Sequence, residues 1–338
     1  MKISKKAQAT ESSLTRQLFN MAQNFTDIID LTLGDPDIIP AEGIRNAACE
    51  AINAGKTRYS ANAGLINLRY VISEHLSKEY NLSADPKSEI VVTVGGMEAL
   101  YLALSTIIDD GDEILVIGPY YVNYVQMTKM CGGKPVVVYT NEENGFVATK
   151  QQIENAITDK TVGIIVNSPC NPTGVVLDDE TIDMIADIAK RCNLTVISDE
   201  VYSSLIYDGK VYSSVITRDG MKERTILIDS ISKRFSMTGY RLGYATGPAN
   251  VILCMTKMQE NVASCARLPS QYASIKAYKE FAYDTTLRDI FLKRRSYLYP
   301  AINSIEKLSC KKPEGTFYLF VNISKTGMDS FTFCKELL

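Results

Sequence analysis

Histidine is almost absent from this sequence, and none of its cysteines forms a Cys-x-x-Cys pair. One histidine, His75, and no cysteine pair leave little material for a zinc site. A Ser-His-Asp triad would have to use His75, whose charged flanking residues instead predict a solvated helix face. The eight cysteines are scattered and mostly have apolar neighbours, which predicts reduced, buried side chains. These absences argue against a metal site and against a serine-hydrolase triad.

The chain also lacks a strong net charge and a long apolar run. With 36 basic and 39 acidic residues its formal net charge is -3, which argues against a binder of nucleic acids or anionic membranes. No apolar stretch approaches the about 18 residues that span a bilayer. The basic N-terminus is not followed by the apolar core of a secretory signal, so we predict a cytoplasmic protein. Its 338 residues suffice for a large α/β domain and a smaller one.

Strand-like and helix-like segments alternate through the middle of the chain. Several strand candidates are continuously apolar, as strands buried on both faces are. The strands are predicted at 90–94, 113–117, 135–139, 162–166, 194–198, 225–228 and 242–246. Amphipathic segments of helical length lie at 97–108, 122–131 and 179–192. This alternation predicts a mostly parallel, seven-stranded sheet sandwiched by helices, in which ligands bind beyond the carboxyl ends of the strands.

The two ends of the chain follow a different pattern. Prolines push their predecessors out of the helical region and so favour extended loops. The predicted elements are a helix over 12–25, a loop over 31–40, a helix over 252–281 interrupted near Pro269, a helix over 286–308, a strand over 315–322 and a final helix over 331–338.

Lys233 lies in the most informative run of the chain, Ser230-Ile-Ser-Lys-Arg-Phe-Ser-Met-Thr-Gly-Tyr-Arg-Leu-Gly243. The run gathers the hydroxyls of Ser230 and Ser232 and the guanidinium of Arg241 around a primary amine. An amine that attacks a carbonyl must lose its proton near neutral pH, and burial and neighbouring cations favour that loss. Hydroxyls and an arginine beside the amine predict that the carbonyl belongs to a phosphorylated cofactor.

Two further clusters directly follow predicted strands. The prolines of Asn167-Ser-Pro-Cys-Asn-Pro-Thr-Gly174 predict a rigid loop, compatible with cis peptide bonds, that holds the amide of Asn171 steady. A plain β-to-α connection is the alternative. Ser198-Asp-Glu-Val-Tyr202 places Asp199 where a protonated pyridine nitrogen would keep it ionised, with Tyr202 in reach of the same ligand. A helix N-cap explains this second segment equally well.

The third cluster, Thr93-Val-Gly-Gly-Met-Glu-Ala99, runs from a strand through two glycines into a helix. Bare backbone at a helix N-terminus favours phosphate, although a tight turn is the commoner reason for such glycines.

Ser230-x-x-Lys233 also matches a motif of the penicillin-binding proteins, whose serine is a nucleophile. The chain contains Tyr121-Val-Asn123 and Lys325-Thr-Gly327, which match that family's other two motifs. The Tyr-x-Asn match precedes the Ser-x-x-Lys match, however, and this order is the reverse of the expected one. This interpretation is therefore disfavoured.

Together, the clusters resemble the class I and II aminotransferases, fold-type-I enzymes that use pyridoxal 5′-phosphate. Four motifs occur in the family's order, with family-like spacing, from about Ile29 to the last residue. The resemblance implies that Lys233 forms the internal aldimine and later moves the proton between the substrate Cα and the cofactor. It also implies that Asp199 pairs with the pyridinium nitrogen, and that Asn171 and Tyr202 bond the phenolic oxygen.

The same resemblance implies further contacts with the cofactor and the substrate. They are phosphate contacts from Ser230, Ser232, Arg241 and the backbone of Gly96 and Met97, ring stacking by Tyr121, a phosphate contact by Tyr59 across a homodimer interface, and a small-domain loop over the substrate that contains Gly34.

The resemblance implies a large cofactor-binding domain at 46–284 and a small α/β domain made of 1–45 and 285–338. Family members continue past the position of Leu338, and the continuation carries the arginine that binds the substrate α-carboxylate. We therefore expect an incomplete small domain and substrate site, for which the arginines elsewhere do not substitute: Arg267, Arg294 and Arg295. Met97 stands where some members have a lysine for acidic side chains, which favours neutral or aromatic substrates.

The predicted activity is ping-pong transfer of an amino group from a neutral, aromatic or aspartate-like α-amino acid to a 2-oxo acid. Two alternatives stay open: a carbon–sulfur β-lyase on the same fold, and a pyridoxal-phosphate-binding protein with little turnover. Aminotransferase-like domains of transcription regulators follow a DNA-binding domain, for which residues 1–32 leave no room.

Overall fold

A central sheet organises the chain. The structure, a computed structural model, describes residues 1–29 and 31–338. The strands of the sheet are β1 (Ile90–Thr93), β2 (Glu113–Gly118), β3 (Lys134–Tyr139), β4 (Thr161–Asn167), β5 (Thr195–Asp199), β6 (Thr225–Ser230) and β7 (Gly243–Thr246). Their order across the sheet is β1-β7-β6-β5-β4-β2-β3. Strands β2 to β6 are parallel, and β7 is antiparallel to both of its neighbours. The predicted seven-stranded, mostly parallel sheet is confirmed.

Helices cover the sheet on both faces. In chain order, the helices of the described residues are α1 (Lys5–Ala9), α2 (Leu14–Ala22), α3 (Glu42–Asn53), α4 (Ile66–Tyr80), α5 (Gly96–Ile107), α6 (Asn123–Met130), α7 (Lys150–Ala156), α8 (Asp179–Arg191), α9 (Ile231–Arg234), α10 (Ala249–Val262), α11 (Leu268–Phe281), α12 (Thr286–Asn303) and α13 (Ser330–Leu337). Side chains alternate along a strand. On β1, Val91 therefore packs in the cluster formed with α5 and α10, whereas Ile90 and Val92 pack with α4 and α11. Apart from the edge strand β3, whose two end residues are exposed, the strands are largely buried on both faces, as their continuous apolar runs predict.

Most helix predictions are confirmed, with shorter ends. The predicted helix over 252–281 is two helices, α10 and α11. Pro269 is at the start of α11, where a missing backbone N–H leaves no helical hydrogen bond unmade. The helix α8 begins at a side-chain cap from Asp178 and carries acidic residues in its first turn and basic ones in its last, as the helix dipole favours. No helix in the described part of the chain is both long and apolar enough to cross a membrane.

The strand predicted over 315–322 is wrong for most of its length. Only β9 (Val321–Asn322) is a strand, paired with β8 (Ser309–Cys310), and Gly315 makes a single bridge with Ile206. Thr316 has a positive φ of 65°, which interrupts the extended backbone. The rings of the two residues that follow the interruption, Phe317 and Tyr318, contact each other and the ring of Tyr202.

Two predictions about burial are also wrong. His75 is only 4% exposed, because α4 packs beneath α11 and the ring of Tyr278 lies 4.9 Å from the imidazole. The charged residues around it, Glu74 and Lys78, pair with each other on the outer side of the helix. All eight cysteines are free, as expected, but they are not all buried: Cys49 and Cys254 are exposed.

The predicted division into domains at 46–284 and at 1–45 with 285–338 stays a prediction. Its first boundary falls inside α3, a continuous helix that packs along α11. At the other end of the chain, the two-stranded sheet of β8 and β9 contacts α12, and α13 contacts α2. These contacts join the first and last segments of the chain outside the central sheet.

Gly243 provides a test of the packing between the sheet and α5. A Cβ at this position would lie 2.6 Å from the backbone nitrogen of Gly96 and 2.9 Å from the carbonyl oxygen of Asp229. Gly243→Ala should therefore lower the free energy of unfolding by about 1–3 kcal/mol, since backbone must move. Gly239→Ala is the control, because an added Cβ there meets none of the described heavy atoms within 4 Å. Equal denaturation midpoints for the two variants would contradict this packing.

Candidate active site

Strand ends bring the predicted site residues to one edge of the sheet. In the parallel register, Asn167 at the end of β4 lies opposite Asp199 at the end of β5. Ser230, at the end of β6, lies opposite Gly243, which in turn pairs with Thr93 at the end of β1. The carboxyl ends of parallel strands are where ligands bind in open α/β sheets. The edge therefore collects three of the predicted clusters before any side chain is considered.

Lys233 lies in the short helix α9, directly after β6, and is partly buried. Its amine donates a hydrogen bond to the carbonyl oxygen of Gly34 and lies 5.4 Å from the ring centre of Phe317. Burial lowers the pKa of the amine to about 8, the charge of Asp35 opposes this shift, and Arg241 adds to it. With this pKa about a tenth of the amine is uncharged at pH 7, far more than for an ordinary lysine with a pKa of about 10.4, and the uncharged form is the one that a nucleophile or a general base requires.

Asp199 is a buried carboxylate held by neutral donors. The hydroxyl of Tyr124 donates to its Oδ2 atom at 2.6 Å, and the backbone N–H of Val201 donates to Oδ1 at 3.3 Å. Burial raises the pKa of Asp199, and these two hydrogen bonds oppose that rise. A cationic group that reached this carboxylate would be bound strongly, because the desolvation of the carboxylate is already complete.

Two tyrosine hydroxyls and two amides lie next to Asp199. The hydroxyl oxygens of Tyr202 and Tyr318 are 2.7 Å apart, and the side-chain amide of Asn171 donates to Tyr318 at 3.4 Å. Asn167 fixes the base of this group, since its side chain donates to the backbone carbonyl of Asp199 at 2.9 Å and accepts from the backbone N–H of Asn171 at 2.7 Å. The peptide bonds before Pro169 and Pro172 are cis, in keeping with the rigid loop that the sequence predicts.

The predicted phosphate ligands converge at the start of α5. The Ser230 hydroxyl lies 2.9 Å from the hydroxyl of Ser232, and both side chains are buried. The guanidinium of Arg241 lies against Gly95, where an added Cβ would come within 2.6 Å of Nη2. The helix α5 has no side-chain cap, so the first backbone N–H groups at Gly96 and beyond are available to an anion. Hydroxyls, a guanidinium and a helix N-terminus form a donor set suited to a phosphate.

Tyr121 and Met97 form a further wall beside this donor set. The Tyr121 hydroxyl lies 3.3 Å from the sulfur of Met97 and accepts a hydrogen bond of 2.7 Å from the side-chain amide of Asn123. The Tyr121 ring packs edge-on against that of Tyr124, with centroids 5.5 Å apart. Burial raises the pKa of Tyr121, so its hydroxyl stays protonated.

The remaining predicted residues divide between the site and the surface. Gly34 belongs to the site, since its carbonyl contacts Lys233 and an added Cβ would collide with the Tyr318 hydroxyl. Tyr59 lies in the loop between α3 and α4 and is 87% exposed, so the structure leaves it outside the group. Arg294 forms a two-bonded pair with Asp37.

Arg295 is likewise engaged away from the site. It donates to Asp208 at 2.6 Å and to the carbonyl oxygen of Pro313 at 2.6 Å. Arg294 and Arg295 are thus both committed to carboxylates within the chain, which agrees with the expectation that they do not serve as substrate ligands.

Four residues of the site were missed by the sequence analysis. Tyr124 lies three residues after the predicted Tyr121, and Asn167 opens the loop that contains Asn171, so closeness in the sequence could have indicated both. Phe317 and Tyr318 gave no such signal, because the alternation of 315–322 indicated a strand. They enter the site through the backbone turn at Thr316.

The lowered pKa of Lys233 predicts an unusual reactivity for its amine. In cofactor-stripped protein, the rate of Lys233 acylation should rise with pH through a midpoint near 8, whereas an ordinary lysine has a pKa of about 10.4. Asp35→Asn removes the charge that favours the protonated amine, so the midpoint should move lower. The surface variant Asp219→Asn should leave it in place. Competitive labelling with mass spectrometry measures each midpoint, and an ordinary value for the unmodified chain would contradict the burial argument.

Comparisons with known proteins agree with this geometry. The family model for aminotransferase class I and II matches residues 26–338. The aspartate aminotransferase of Pyrococcus abyssi is 39% identical over 341 residues, covering 100% of this chain and 87% of that protein. Aromatic-amino-acid aminotransferase 2 of Thermococcus litoralis is 37% identical, with coverages of 100% and 87%. The crystal structure of an aromatic aminotransferase from Pyrococcus horikoshii superposes with a TM-score of 0.88 at 40% identity, covering 94% of this chain and 85% of that one. The chain therefore belongs to the class I and II aminotransferases, enzymes that depend on pyridoxal 5′-phosphate.

Proposed function

We propose that this enzyme moves an amino group from an α-amino acid to a 2-oxo acid by a ping-pong mechanism, with donor and acceptor using one site in turn. One observation carries the proposal: the amine of Lys233, the carboxylate of Asp199 and the donor set of Ser230 and Arg241 lie at the same edge of the sheet. We also propose a cytoplasmic homodimer in which the exposed Tyr59 contacts cofactor phosphate across the interface.

The residues at this edge fit pyridoxal 5′-phosphate by their chemistry. Buried hydroxyls, a guanidinium and a helix N-terminus suit its phosphate, and the buried carboxylate of Asp199 suits a protonated ring nitrogen. The polar groups of Asn171 and Tyr202 suit its phenolic oxygen. When bound, the cofactor supplies an aldehyde that takes up the amino group and a ring that accepts electrons from the substrate Cα.

Each side chain then has a defined task. Lys233, uncharged in part near neutral pH, removes the proton from the substrate Cα and returns it in the reverse half-reaction; such general catalysis contributes about 10²–10⁴-fold to a rate. Asp199 keeps a bound ring nitrogen protonated. Tyr202 and Asn171 orient the ring through its phenolic oxygen, and the hydroxyl of Tyr318 holds both of them.

The donor amino acid is proposed from two lines of support. The relatives named above act, by their names, on aspartate and on aromatic amino acids. The apolar side chain of Met97, in contact with Tyr121, favours neutral or aromatic donors over acidic ones. We therefore propose aromatic donors first and aspartate-like donors second.

The role of Lys233 has a direct spectroscopic test. The holoenzyme should show a visible absorbance band that borohydride bleaches, and peptide mapping should then locate the reduced cofactor on Lys233. In Lys233→Ala the band should be lost and transamination should fall by at least about 10²-fold. Lys222→Ala, which changes a lysine paired with Glu89 at the surface, should keep both. A Lys233→Ala protein that retains the band would refute the assignment.

The reaction type has a separate test. Phenylalanine, tyrosine or aspartate should convert the cofactor to its amine form without a second substrate, and a 2-oxo acid should restore the visible band. The new amino acid should then be measurable by chromatography, with the parallel double-reciprocal plots of a ping-pong mechanism. If a cysteine thioether instead yields pyruvate and ammonia with no oxo-acid acceptor, the enzyme is a β-lyase and the proposal is wrong.

A further inference from the structure

Two residues of the site, Lys233 and Ser230, are each adjacent in the sequence to a charged residue that is buried away from the site. Lys233 is followed by Arg234, and Ser230 is preceded by Asp229; both neighbours are less than 9% exposed. Successive side chains of a strand point in opposite directions. Asp229 therefore lies on the face of β6 opposite to Ser230, and in the helix α9, where successive side chains are about 100° apart, Arg234 contacts Glu79 whereas Lys233 contacts Gly34.

The guanidinium of Arg234 connects separate elements of the fold. Its Nη2 atom donates to Glu79, at the end of α4, at 2.8 Å, and to the Ser203 hydroxyl at 2.9 Å. The same atom lies 3.9 Å from Asp229 in β6. We call Glu79, Ser203, Asp229 and Arg234 the back cluster.

The members of the back cluster are themselves held in place. The Nε2 atom of His75 lies 2.8 Å from Glu79, and the Tyr244 hydroxyl donates to Asp229 at 3.3 Å. Burial opposes the ionised form of Glu79, yet the charge of Arg234 and the contact with His75 outweigh it and lower its pKa to about 2. The pair of Glu79 and Arg234 is therefore fully ionised at neutral pH.

Stability alone does not account for such a pair. A buried ion pair is often no more stabilising than apolar side chains of the same volume, because desolvation offsets the attraction. A planar guanidinium does, however, fix directions, since its donors are held in one rigid fork. Here one nitrogen of the planar guanidinium, Nη2, joins α9, which carries Lys233, both to Glu79 and to Ser203, one residue after Tyr202 and four after Asp199.

We propose that Arg234 is a positioning residue for the proton transfers at Lys233. Through Ser203 it fixes the turn that carries Asp199 and Tyr202 relative to the helix that carries the amine. This inference rests on the proposed function, because it assumes that both segments contact one cofactor. The spacing matters for rate, since a misplacement of about 1 Å costs about 10²-fold in a proximity-dependent step.

Ser203→Ala is the most direct test, because it removes the hydrogen bond from Arg234 to the Ser203 hydroxyl and leaves the ion pair of Arg234 and Glu79 intact. We expect kcat of the holoenzyme to fall about ten-fold with KM changed less than about two-fold. The isotope effect of Cα-deuterated donor should rise, because the proton step becomes more rate-limiting. The control is Ser274→Ala, a buried serine whose hydroxyl bonds only the carbonyl of Ser270 among the described residues. It should leave kcat and the isotope effect unchanged.

A second variant guards against loss of folding. Arg234→Met leaves the buried Asp229 and the partly buried Glu79 without their cation, which endangers the fold, whereas Arg234→Lys keeps the charge and loses the planar guanidinium that holds Nη2 in place. Arg234→Lys should lower kcat as Ser203→Ala does. The double variant should lose no more of its kcat than the more impaired single variant, because both changes remove the same hydrogen bond between residues 234 and 203.

Three outcomes overturn the inference. They are an unchanged kcat in Ser203→Ala, an equal loss of kcat in Ser274→Ala, and losses that multiply in the double variant. Failure of the proposed function is separable from these, since it would appear in the unmodified holoenzyme as the absence of the visible band or of transamination. If the unmodified enzyme transaminates and Ser203→Ala has an unchanged kcat, only the proposed role of Arg234 is refuted.

Discussion

The parallel register of β4, β5 and β6 is the constraint on which the rest of the structure depends. It sets Asn167 opposite Asp199 and Asp199 opposite Ile228, so that the residues following these strands must meet at one edge. The side chain of Asn167 thereby donates to the backbone carbonyl of Asp199, 32 residues further along the chain. A slip of one residue in any of these strands would turn its site residue to the opposite face of the sheet.

Burial gives the groups at this edge their chemistry. Desolvation disfavours charge, and so it lowers the pKa of the Lys233 amine and raises that of the Asp199 carboxyl. These are opposite shifts with one cause. The site therefore presents an amine that is partly uncharged and a carboxylate with a strong affinity for a cation.

Behind the edge, a second set of buried charges is matched within the chain. Arg234 neutralises Glu79, and the hydroxyls of Ser198 and Ser214 donate to the buried Glu200 at 2.7 and 2.5 Å. Residues of the site and residues of the back cluster are thus neighbours in the sequence, as Lys233 and Arg234 are. On one side the polar groups remain open to a ligand, and on the other Arg234 and Glu200 each have charged or polar partners within the chain.

The sequence by itself determined the strands, the lysine run and the residues at the strand ends, because apolar runs and local motifs consist of residues that are close together in the sequence. It did not indicate the contact of Tyr318 with Tyr202, which depends on one positive φ at Thr316, or the hydrogen bond from Tyr124 to Asp199. It also misjudged His75, whose burial depends on α11 packing over α4. Those features were decided by the tertiary structure, since burial and long-range hydrogen bonds exist only after distant segments pack together.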